Sequence, residues 1–203
     1  MAHNIIVLFK NPIEGKVKTR LGATIGDEKA LMVYLELLEH TFKVARSVAG
    51  AQLHLFFSNF IDSRLQHIGS EDELYLQVKG SLGEKIIHAF ETVHEPGDKT
   101  IIIGSDCPGI SSELIQQAFS NLDNFSIVLG PAEDGGYYLL GLNDPDSSLF
   151  EGINWSTDQV LPEIVKILQQ KRLLYKLLPA LRDIDTQEDW EAEKTKLVRE
   201  QSI

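Results

Sequence analysis

A loop rich in positive charge directly follows the first apolar run of the chain. Residues 5–9 are continuously hydrophobic, and residues 10–21 behind them carry four cations. Because the whole chain has a formal net charge of -11, positive charge gathered at the end of a buried strand predicts an anion site. A glycine in the loop permits close approach of the main chain, and a helix start near Gly26 adds its dipole. The residues expected to contact a di- or triphosphate are Lys10, Gly15, Lys16, Lys18 and Arg20.

The basic loop also has a plainer interpretation, because most charged runs are solvated surface. A proline and a glycine in so short a loop after a first strand favour the functional interpretation. Two common nucleotide-binding motifs do not occur in the sequence: the Gly-x-x-x-x-Gly-Lys-Ser/Thr spacing and Gly-x-Gly-x-x-Gly. The phosphate would therefore be held by cations and not by a P-loop or a dinucleotide fingerprint.

Carboxylates follow the strongest candidate for a central strand. Residues 100–104 form an apolar run, and Asp106 stands just beyond its end, where ligands bind in open α/β sheets. A carboxylate there can hold Mg²⁺ or Mn²⁺ between phosphate oxygens, or it can cap the turn before Ser111. Asp183 and Asp185 come after the last predicted strand. Either can complete a metal site or cap the terminal helix.

A glycine-rich segment, residues 130–138, separates two later strands. Asp134 within it offers a carboxylate to a hydroxyl or a metal, and the two glycines after it let a ligand approach the main chain. Asp-Gly is also a common hairpin signal, so a plain tight turn is the alternative. The indole of Trp155, further along the chain, can stack on a ring near the site or pack in the core. The expected substrate-binding residues are Gly135, Gly136, Tyr137 and Trp155.

The single cysteine and the six histidines predict neither a disulfide nor a zinc site. Cys107 lies beside Asp106, and no base partner for it can be identified in the sequence. A buried thiol acting as a small apolar filler is the expectation. The histidines lack metal-ligand spacing and are expected at the surface or the core edge.

Apolar β-branched runs alternate with segments of helical period, which indicates an α/β fold with a mostly parallel central sheet and helices on both faces. Strands are predicted over 4–9, 53–57, 74–78, 100–104, 126–129, 137–142 and, at an edge, 173–178. Helices are predicted over 28–48 and 83–93, from a cap at 111, over 157–171 and from 185. No repeat, low-complexity tract or linker interrupts this pattern, so residues 1–203 are expected to form one domain.

Composition narrows the class of protein. With 203 residues, 43% hydrophobic and 24% charged, the chain suits a globular domain with a sizeable core. No apolar stretch approaches about 20 residues and no signal-peptide pattern begins the chain, so a cytoplasmic protein is expected. A pI near 5.0 without a basic stripe argues against nucleic acid as a partner.

The motifs taken together resemble the DUF2064 family of the nucleotide-diphospho-sugar transferase superfamily. The resemblance implies a Rossmann-like GT-A fold that binds a nucleotide at the carboxyl edge of its sheet. It covers nearly the whole chain, with the motifs in the same order. They are Lys10-x-Pro12-x-x-Gly15-x-Val17-Lys18-Thr19-Arg20-Leu21, Gly80-x-Leu82-Gly83-Glu84, Gly104-Ser105-Asp106-Cys107-Pro108, Gly130-Pro131-Ala132-x-Asp134-Gly135-Gly136-Tyr137-Tyr138 and Asp183-Ile184-Asp185-Thr186.

The resemblance also implies residue roles. Lys16, Lys18 and Arg20 would meet phosphates, and the segment from Gln77 through Gly83 would lie near the base. Asp106 with Asp185 would hold the metal, Mg²⁺ or Mn²⁺. Ser81 stands where the family often has an aspartate, so no role for that carboxylate transfers to this chain.

The leading hypothesis is metal-dependent transfer of a glycosyl group from a nucleoside diphosphate sugar to a small-molecule acceptor. Lys18 and Arg20 would stabilise the departing diphosphate, and Asp134 would orient the sugar or act as base. Nucleotidylyl transfer from a triphosphate is the alternative, because many GT-A enzymes carry Asp-x-Asp at the metal strand whereas Cys107 and Pro108 follow Asp106. A catalytically silent nucleotide-binding or partner-binding module is a third hypothesis.

Overall fold

A computed structural model describes residues 2–155 and 157–199, with the side chains of 198 and 199 left aside. Its centre is a seven-stranded sheet in the order β3-β2-β1-β4-β6-β5-β7. Neighbouring strands run parallel except at β6, which is antiparallel to both β4 and β5. The strands are β1 (His3–Phe9), β2 (Ala51–Phe57), β3 (Glu73–Leu76), β4 (Lys99–Ile103), β5 (Ile127–Pro131), β6 (Tyr137–Leu142) and β7 (Tyr175–Leu177).

Helices cover both faces of this sheet, which confirms the predicted α/β class. Side chains of α2 and α4 share one hydrophobic cluster with the sheet, and side chains of α3 and α5 share the other. Among the described residues, no helix combines the length and apolarity needed to cross a membrane. The helices are α1 (Thr19–Ile25), α2 (Asp27–Ser47), α3 (Leu82–Val93), α4 (Ser112–Asn121), α5 (Val160–Gln170) and α6 (Gln187–Arg199), with a 3₁₀ turn at Ser147–Leu149.

Strand β1 shows why the apolar runs are continuous. Ile5 and Val7 belong to the cluster on the α2 and α4 face, and Ile6 belongs to the cluster on the opposite face. Because successive strand residues point to opposite faces, a strand covered on both sides must be apolar at every position. A third cluster joins α1, α2 and α6, with Leu21, Val33 and Ile184 in its core.

The sequence does not predict α1, since the first residues of this helix lie in the basic loop, residues 10–21. Leu21 is fully buried in the cluster that also contains Ile184, and this tertiary packing favours a short helix without a strong capping signal. Gly26, with φ of 92°, separates α1 from α2. The starts of α5 and α6 lie three and two residues later than predicted, at Val160 and Gln187.

Candidate functional site

The carboxyl ends of β1 and β4 lie side by side. These strands are parallel neighbours in which Val7 pairs with Ile103, so the loops that follow them meet at one edge of the sheet. A third segment joins them because the main-chain N–H of Ile184 donates to the carbonyl of Asp106 at 2.9 Å. This hydrogen bond brings the segment before α6, including Asp185, to the same edge.

Four charged side chains meet there, and we name them the junction cluster: Lys18, Arg20, Asp106 and Asp185. The Lys18 ammonium lies 2.9 Å from an Asp106 carboxylate oxygen and 3.7 Å from an Asp185 oxygen. Arg20 lies 3.1 Å from the other Asp185 oxygen. The Lys18 side chain is 4% exposed, whereas those of Asp106 and Asp185 are 43% and 42% exposed. The ammonium is therefore buried beneath carboxylates that open to solvent.

The backbone at Lys18 has an unusual conformation. Its φ of 45° and ψ of 44° place it in the left-handed region at the N-cap of α1. A non-glycine residue in that region costs on the order of 1 kcal/mol and is held by its surroundings. The Gly22 N–H donates to the Lys18 carbonyl at 2.8 Å, which fixes the turn from which the side chain enters the junction cluster.

A cleft of about 730 Å³ opens on one side of the junction cluster, and we call it the basic cleft. It lies between the loops after β1 and β2 and the start of α3. Besides Lys18 and Arg20 it is lined by Lys10 and Lys85, so cations dominate its charged surface. Its size and charge suit a nucleotide with its phosphates.

Three polar side chains fix the walls of the basic cleft. The buried amide of Asn11 accepts from the main-chain N–H of Asn59 at 2.9 Å and donates to the Phe60 carbonyl at 2.8 Å, which ties the loop after β1 to the loop after β2. The Gln77 amide donates to the ends of both strands, at the Phe9 and Phe56 carbonyls. The Tyr34 hydroxyl donates to the Lys10 carbonyl at 2.9 Å.

A second cleft of about 510 Å³ opens on the other side, and we call it the aromatic cleft. Its lining includes Tyr137, Tyr138 and Trp155 together with the carboxylates of Asp134 and Asp183. Leu8, Leu82, Arg20, Asp106 and Asp185 line both clefts. The junction cluster is therefore the boundary at which a ligand in one cleft meets a ligand in the other.

The turn that carries Asp134 is rigidly built. An Asp134 carboxylate oxygen accepts from the Gly136 N–H at 2.8 Å. Gly135 has φ of 92°, and a Cβ there would lie 2.3 Å from the Asp158 carbonyl oxygen. Only glycine fits this position without a shift of backbone. The two glycines thus serve the turn itself, as the plainer interpretation of the sequence has it, and the turn presents Asp134 to the cleft.

Asp183 lines the aromatic cleft and has a strongly perturbed ionisation. Its pKa is raised to about 6 by burial first, with the nearby carboxylates of Asp134 and Asp185 adding to the rise and the Lys18 ammonium opposing it. A carboxyl with such a pKa can exchange a proton near neutral pH. The position of Asp183 in the sequence predicts only a metal ligand or a helix cap.

The indole of Trp155 packs against the start of α3. A Cβ at Gly83 would lie 2.8 Å from the ring, so the glycine leaves room for Trp155 at the cleft wall. Cys107 is 3% exposed, and burial raises the pKa of its thiol well above the ordinary value. It fills space as expected and is not poised as a nucleophile.

The structure separates the predicted site residues into those that line a cleft and those that support one. Lys16 is exposed on the loop, Gly15 packs on Asp27, and Gly83 and Gly135 admit neighbouring atoms. Lining residues that the sequence did not single out include Tyr34, Asn59 and Lys85. Asn59 follows β2 at its carboxyl end, and that position alone could have identified it. The predicted lining residues are Lys10, Lys18, Arg20, Gln77, Asp106, Asp134, Gly136, Tyr137, Trp155 and Asp185.

The junction cluster fits a hard divalent cation. Carboxylate oxygens of Asp106 and Asp185 already converge on one cation, the Lys18 ammonium, and both side chains keep an exposed face. Within the described residues, no group of three or more His, Cys, Asp or Glu side chains is placed to hold a metal ion. Two carboxylates with substrate phosphates and water form a usual ligand set for Mg²⁺.

Comparison with known proteins places this arrangement in a family. Residues 41–157 match the model of DUF2064, described as uncharacterized proteins conserved in bacteria. The chain belongs to the DUF2064 family. A crystal structure from Desulfovibrio desulfuricans, described as a "putative nucleotide-diphospho-sugar transferase", is 30% identical with a TM-score of 0.84, over 98% of this chain and 95% of that one.

More distant structures share the fold of this DUF2064 protein. The inositol-1-phosphate CTP transferase of T. maritima has a TM-score of 0.63 at 16% identity, over 98% of this chain and 95% of that one. The Rv0371c protein of Mycobacterium tuberculosis, in a complex with manganese, has a TM-score of 0.61 at 14% identity, over 95% and 97%. Among curated proteins, none matches the sequence. The fold is therefore that of nucleotide-sugar transferases and nucleotidyltransferases.

Proposed function

We propose that this DUF2064 protein is a metal-dependent transferase that uses a nucleotide-activated substrate, and that it transfers a glycosyl group from a nucleoside diphosphate sugar. The observation that carries the proposal is the meeting of the basic and aromatic clefts at the junction cluster. A donor with its diphosphate at this boundary has its nucleoside on one side and its sugar on the other.

In this proposal the basic cleft binds the nucleotide. Lys10 and Lys85 line it beside Lys18, and their charges complement phosphates. Gln77 uses its amide to join the ends of β1 and β2, so it shapes the wall near the base. The bound diphosphate would then lie against the junction cluster.

The aromatic cleft would hold the sugar and the acceptor. Trp155 and Tyr137 offer apolar ring faces on which a sugar can stack. Asp134, fixed by its own turn, would orient sugar hydroxyls or take the proton of the acceptor hydroxyl. Asp183 lies in the same cleft with a pKa raised to about 6, and its carboxylate is a second candidate for that proton.

The leaving group is a diphosphate, so negative charge grows where the junction cluster lies. Lys18 and Arg20 would stabilise that charge. Because the charge on the leaving diphosphate is larger in the transition state than in the ground state, this stabilisation lowers the barrier. Asp106 and Asp185 would hold Mg²⁺ or Mn²⁺, which when bound neutralises charge on the phosphate oxygens. The manganese complex of the Mycobacterium tuberculosis relative supports this choice of ion.

Nucleotidylyl transfer is the second candidate, and the residues after Asp106 favour it. Many glycosyltransferases of this fold carry Asp-x-Asp at the metal strand, whereas Cys107 and Pro108 follow Asp106 here. A phosphorylated small molecule in the aromatic cleft would attack the α-phosphate of a triphosphate, and pyrophosphate would leave toward the cations. The CTP transferase among the similar structures supports this candidate.

A product assay separates the two reactions. The purified protein is incubated with Mg²⁺ or Mn²⁺ and either a panel of nucleotide sugars or a panel of triphosphates with sugar phosphates. Release of a nucleoside diphosphate from nucleotide sugars supports glycosyl transfer. Pyrophosphate release from triphosphates alone rejects glycosyl transfer in favour of nucleotidylyl transfer. Nucleotide binding that requires metal, with no turnover in either arm, would identify a silent binding module.

A further inference from the structure

The charges of the junction cluster cancel one another. Asp106 and Asp185 contribute two negative charges, Lys18 and Arg20 contribute two positive charges, and each acid contacts at least one cation. A site in this state offers neither a free anion for a metal nor a free cation for a phosphate. Both halves of a metal–polyphosphate site are present, and each half neutralises the other.

We infer that the junction cluster works by exchange of partners. The two carboxylates pass from Lys18 and Arg20 to a divalent ion, while the two cations pass to a polyphosphate, so the ion and the polyphosphate bind together and each strengthens the binding of the other. The inference rests on the proposed function and deepens it, since it states how the site couples its two ligands.

A divalent ion alone meets two obstacles at this site. It must share the Asp106 carboxylate with an ammonium 2.9 Å away, and the two cations repel each other. It also lacks a third protein ligand, because in the described part of the chain no further acidic, histidine or cysteine side chain is placed to join Asp106 and Asp185. The remaining positions must be filled by water or by phosphate oxygens. Free metal is therefore bound weakly until phosphate arrives.

A polyphosphate alone meets the opposite obstacle. The most buried cation of the cluster, Lys18, is 4% exposed and faces two carboxylates. A phosphate that approaches the ammonium also approaches those carboxylates, and like charges at short range oppose binding. An ion on the carboxylates removes that repulsion and leaves Lys18 free to contact phosphate. The same exchange thus removes both obstacles at once.

The test removes the internal counter-ion. Lys18→Met keeps the aliphatic length of the side chain and removes its charge. We measure the affinity for free Mn²⁺ by electron paramagnetic resonance, and the affinity for pyrophosphate by calorimetry with and without Mn²⁺. Pyrophosphate serves as a probe that is independent of the nucleotide base. In the unmodified protein, Mn²⁺ should tighten pyrophosphate binding about tenfold or more.

Lys18→Met should bind free Mn²⁺ about tenfold more tightly than the unmodified protein, because the competing ammonium is gone. The gain in pyrophosphate affinity caused by Mn²⁺ should fall in the same variant. Lys29→Met is the matched control, since Lys29 is exposed on α2 and lines neither cleft. It changes the net charge equally and should leave both affinities unchanged.

Arg20→Met keeps the inference testable if Lys18→Met does not fold. The Arg20 side chain is 78% exposed, so its removal should not disturb folding, and free Mn²⁺ should bind about threefold more tightly because only Asp185 is released. Unchanged or weaker Mn²⁺ binding in folded variants would overturn the exchange but leave the proposed transferase intact. No Mn²⁺ binding to the unmodified protein, with or without pyrophosphate, would overturn both.

Discussion

Two buried lysines near opposite ends of β4 have different surroundings. Lys99 begins the strand and Lys18 lies beyond its other end, and their side chains are 7% and 4% exposed. The Lys99 ammonium donates to the Phe119 carbonyl at 3.0 Å and to Asp123 at 2.6 Å. The Lys18 ammonium contacts two carboxylates at the boundary of two clefts. Both lysines are buried and pair with carboxylates that are more exposed, yet only Lys18 faces space for a ligand.

The difference lies in the partners and not in the burial. The Phe119 carbonyl is part of the backbone of α4 and cannot turn away from the Lys99 ammonium. Lys99 is therefore fixed to α4 and holds that helix against the sheet. The partners of Lys18 are side chains with open faces, and they can exchange an ammonium for another cation. A buried charge therefore indicates function only where its partners are free to change.

The largest expected effect comes from removing the carboxylate of Asp106, which pairs with Lys18. Asp106→Asn removes a carboxylate that would hold the metal, so metal-dependent nucleotide binding should fall about 100-fold or more. Calorimetric titration with Mn²⁺ and nucleotide measures the loss, and circular dichroism checks that the fold is kept.

Asp123→Asn is the counterpart on the Lys99 side. Asp123 is 63% exposed and lines neither cleft, so nucleotide binding and its dependence on Mn²⁺ should match those of the unmodified protein. If nucleotide binding to Asp106→Asn still depended on Mn²⁺ as in the unmodified protein, Asp106 would not be a metal ligand. The different surroundings of the two lysines would then have no consequence for ligand binding.

A smaller effect, on stability alone, is expected from Lys99→Met. The Phe119 carbonyl loses a charged donor in a buried setting, so the free energy of unfolding should fall by about 1 to 2 kcal/mol. Urea denaturation measures this change. Pyrophosphate binding should stay the same, because the clefts lie beyond the other end of the strand.

A fall in the Mn²⁺-dependent gain of pyrophosphate affinity in Lys99→Met, comparable to the fall expected in Lys18→Met, would break the comparison. It would mean that the position of α4 affects the junction cluster through β4. Lys99→Arg provides a check, because a guanidinium can still donate to the Phe119 carbonyl and should restore part of the stability.

The sequence predicted the sheet well because its signals are local. Continuous runs of β-branched residues such as Ile101 to Ile103 are typical of strands covered on both faces, and all seven predicted strands are present. The sequence does not predict the short helix α1, because the cluster that buries Leu21 also contains Ile184 and so brings together segments far apart in the chain. No local pattern reports such a contact.

The candidate site divides in the same way. Rules for the carboxyl edge of a sheet bring Asp106 and the basic loop together without coordinates. The sequence could not show that Lys18 is itself buried between Asp106 and Asp185, since a run of exposed charges has the same composition. Nor could it show that Trp155 packs on Gly83, because that contact depends on how α3 meets a distant loop.

The smallest expected effect uses Asp183 as a reporter of the two lysines. Burial, with Asp134 and Asp185, raises the pKa of Asp183 to about 6, and Lys18 opposes the rise. Removing that charge in Lys18→Met should therefore raise the Asp183 pKa further, whereas Lys99→Met should not move it. Carboxyl ¹³C chemical shifts followed between pH 3 and pH 8, a range set about these pKa values, measure the titration in each protein. An equal shift in both variants would show that neither lysine is specific to the site.

The same carboxyl gives a dependence of stability on pH whose sign follows from the raised pKa. The folded state holds the Asp183 proton more tightly than the unfolded chain, where the pKa is 3.8. The stabilisation is complete below that value and is lost as the pH rises through about 6. Asp183→Asn should therefore be more stable than the unmodified protein by about 1 kcal/mol at pH 7.5, a figure reduced for partial exposure, with little advantage at pH 4. If Asp183→Asn had the same advantage in free energy of unfolding at both pH values, ionisation of Asp183 would not destabilise the folded state. The cations of the junction cluster would then already compensate the charge of the Asp183 carboxylate.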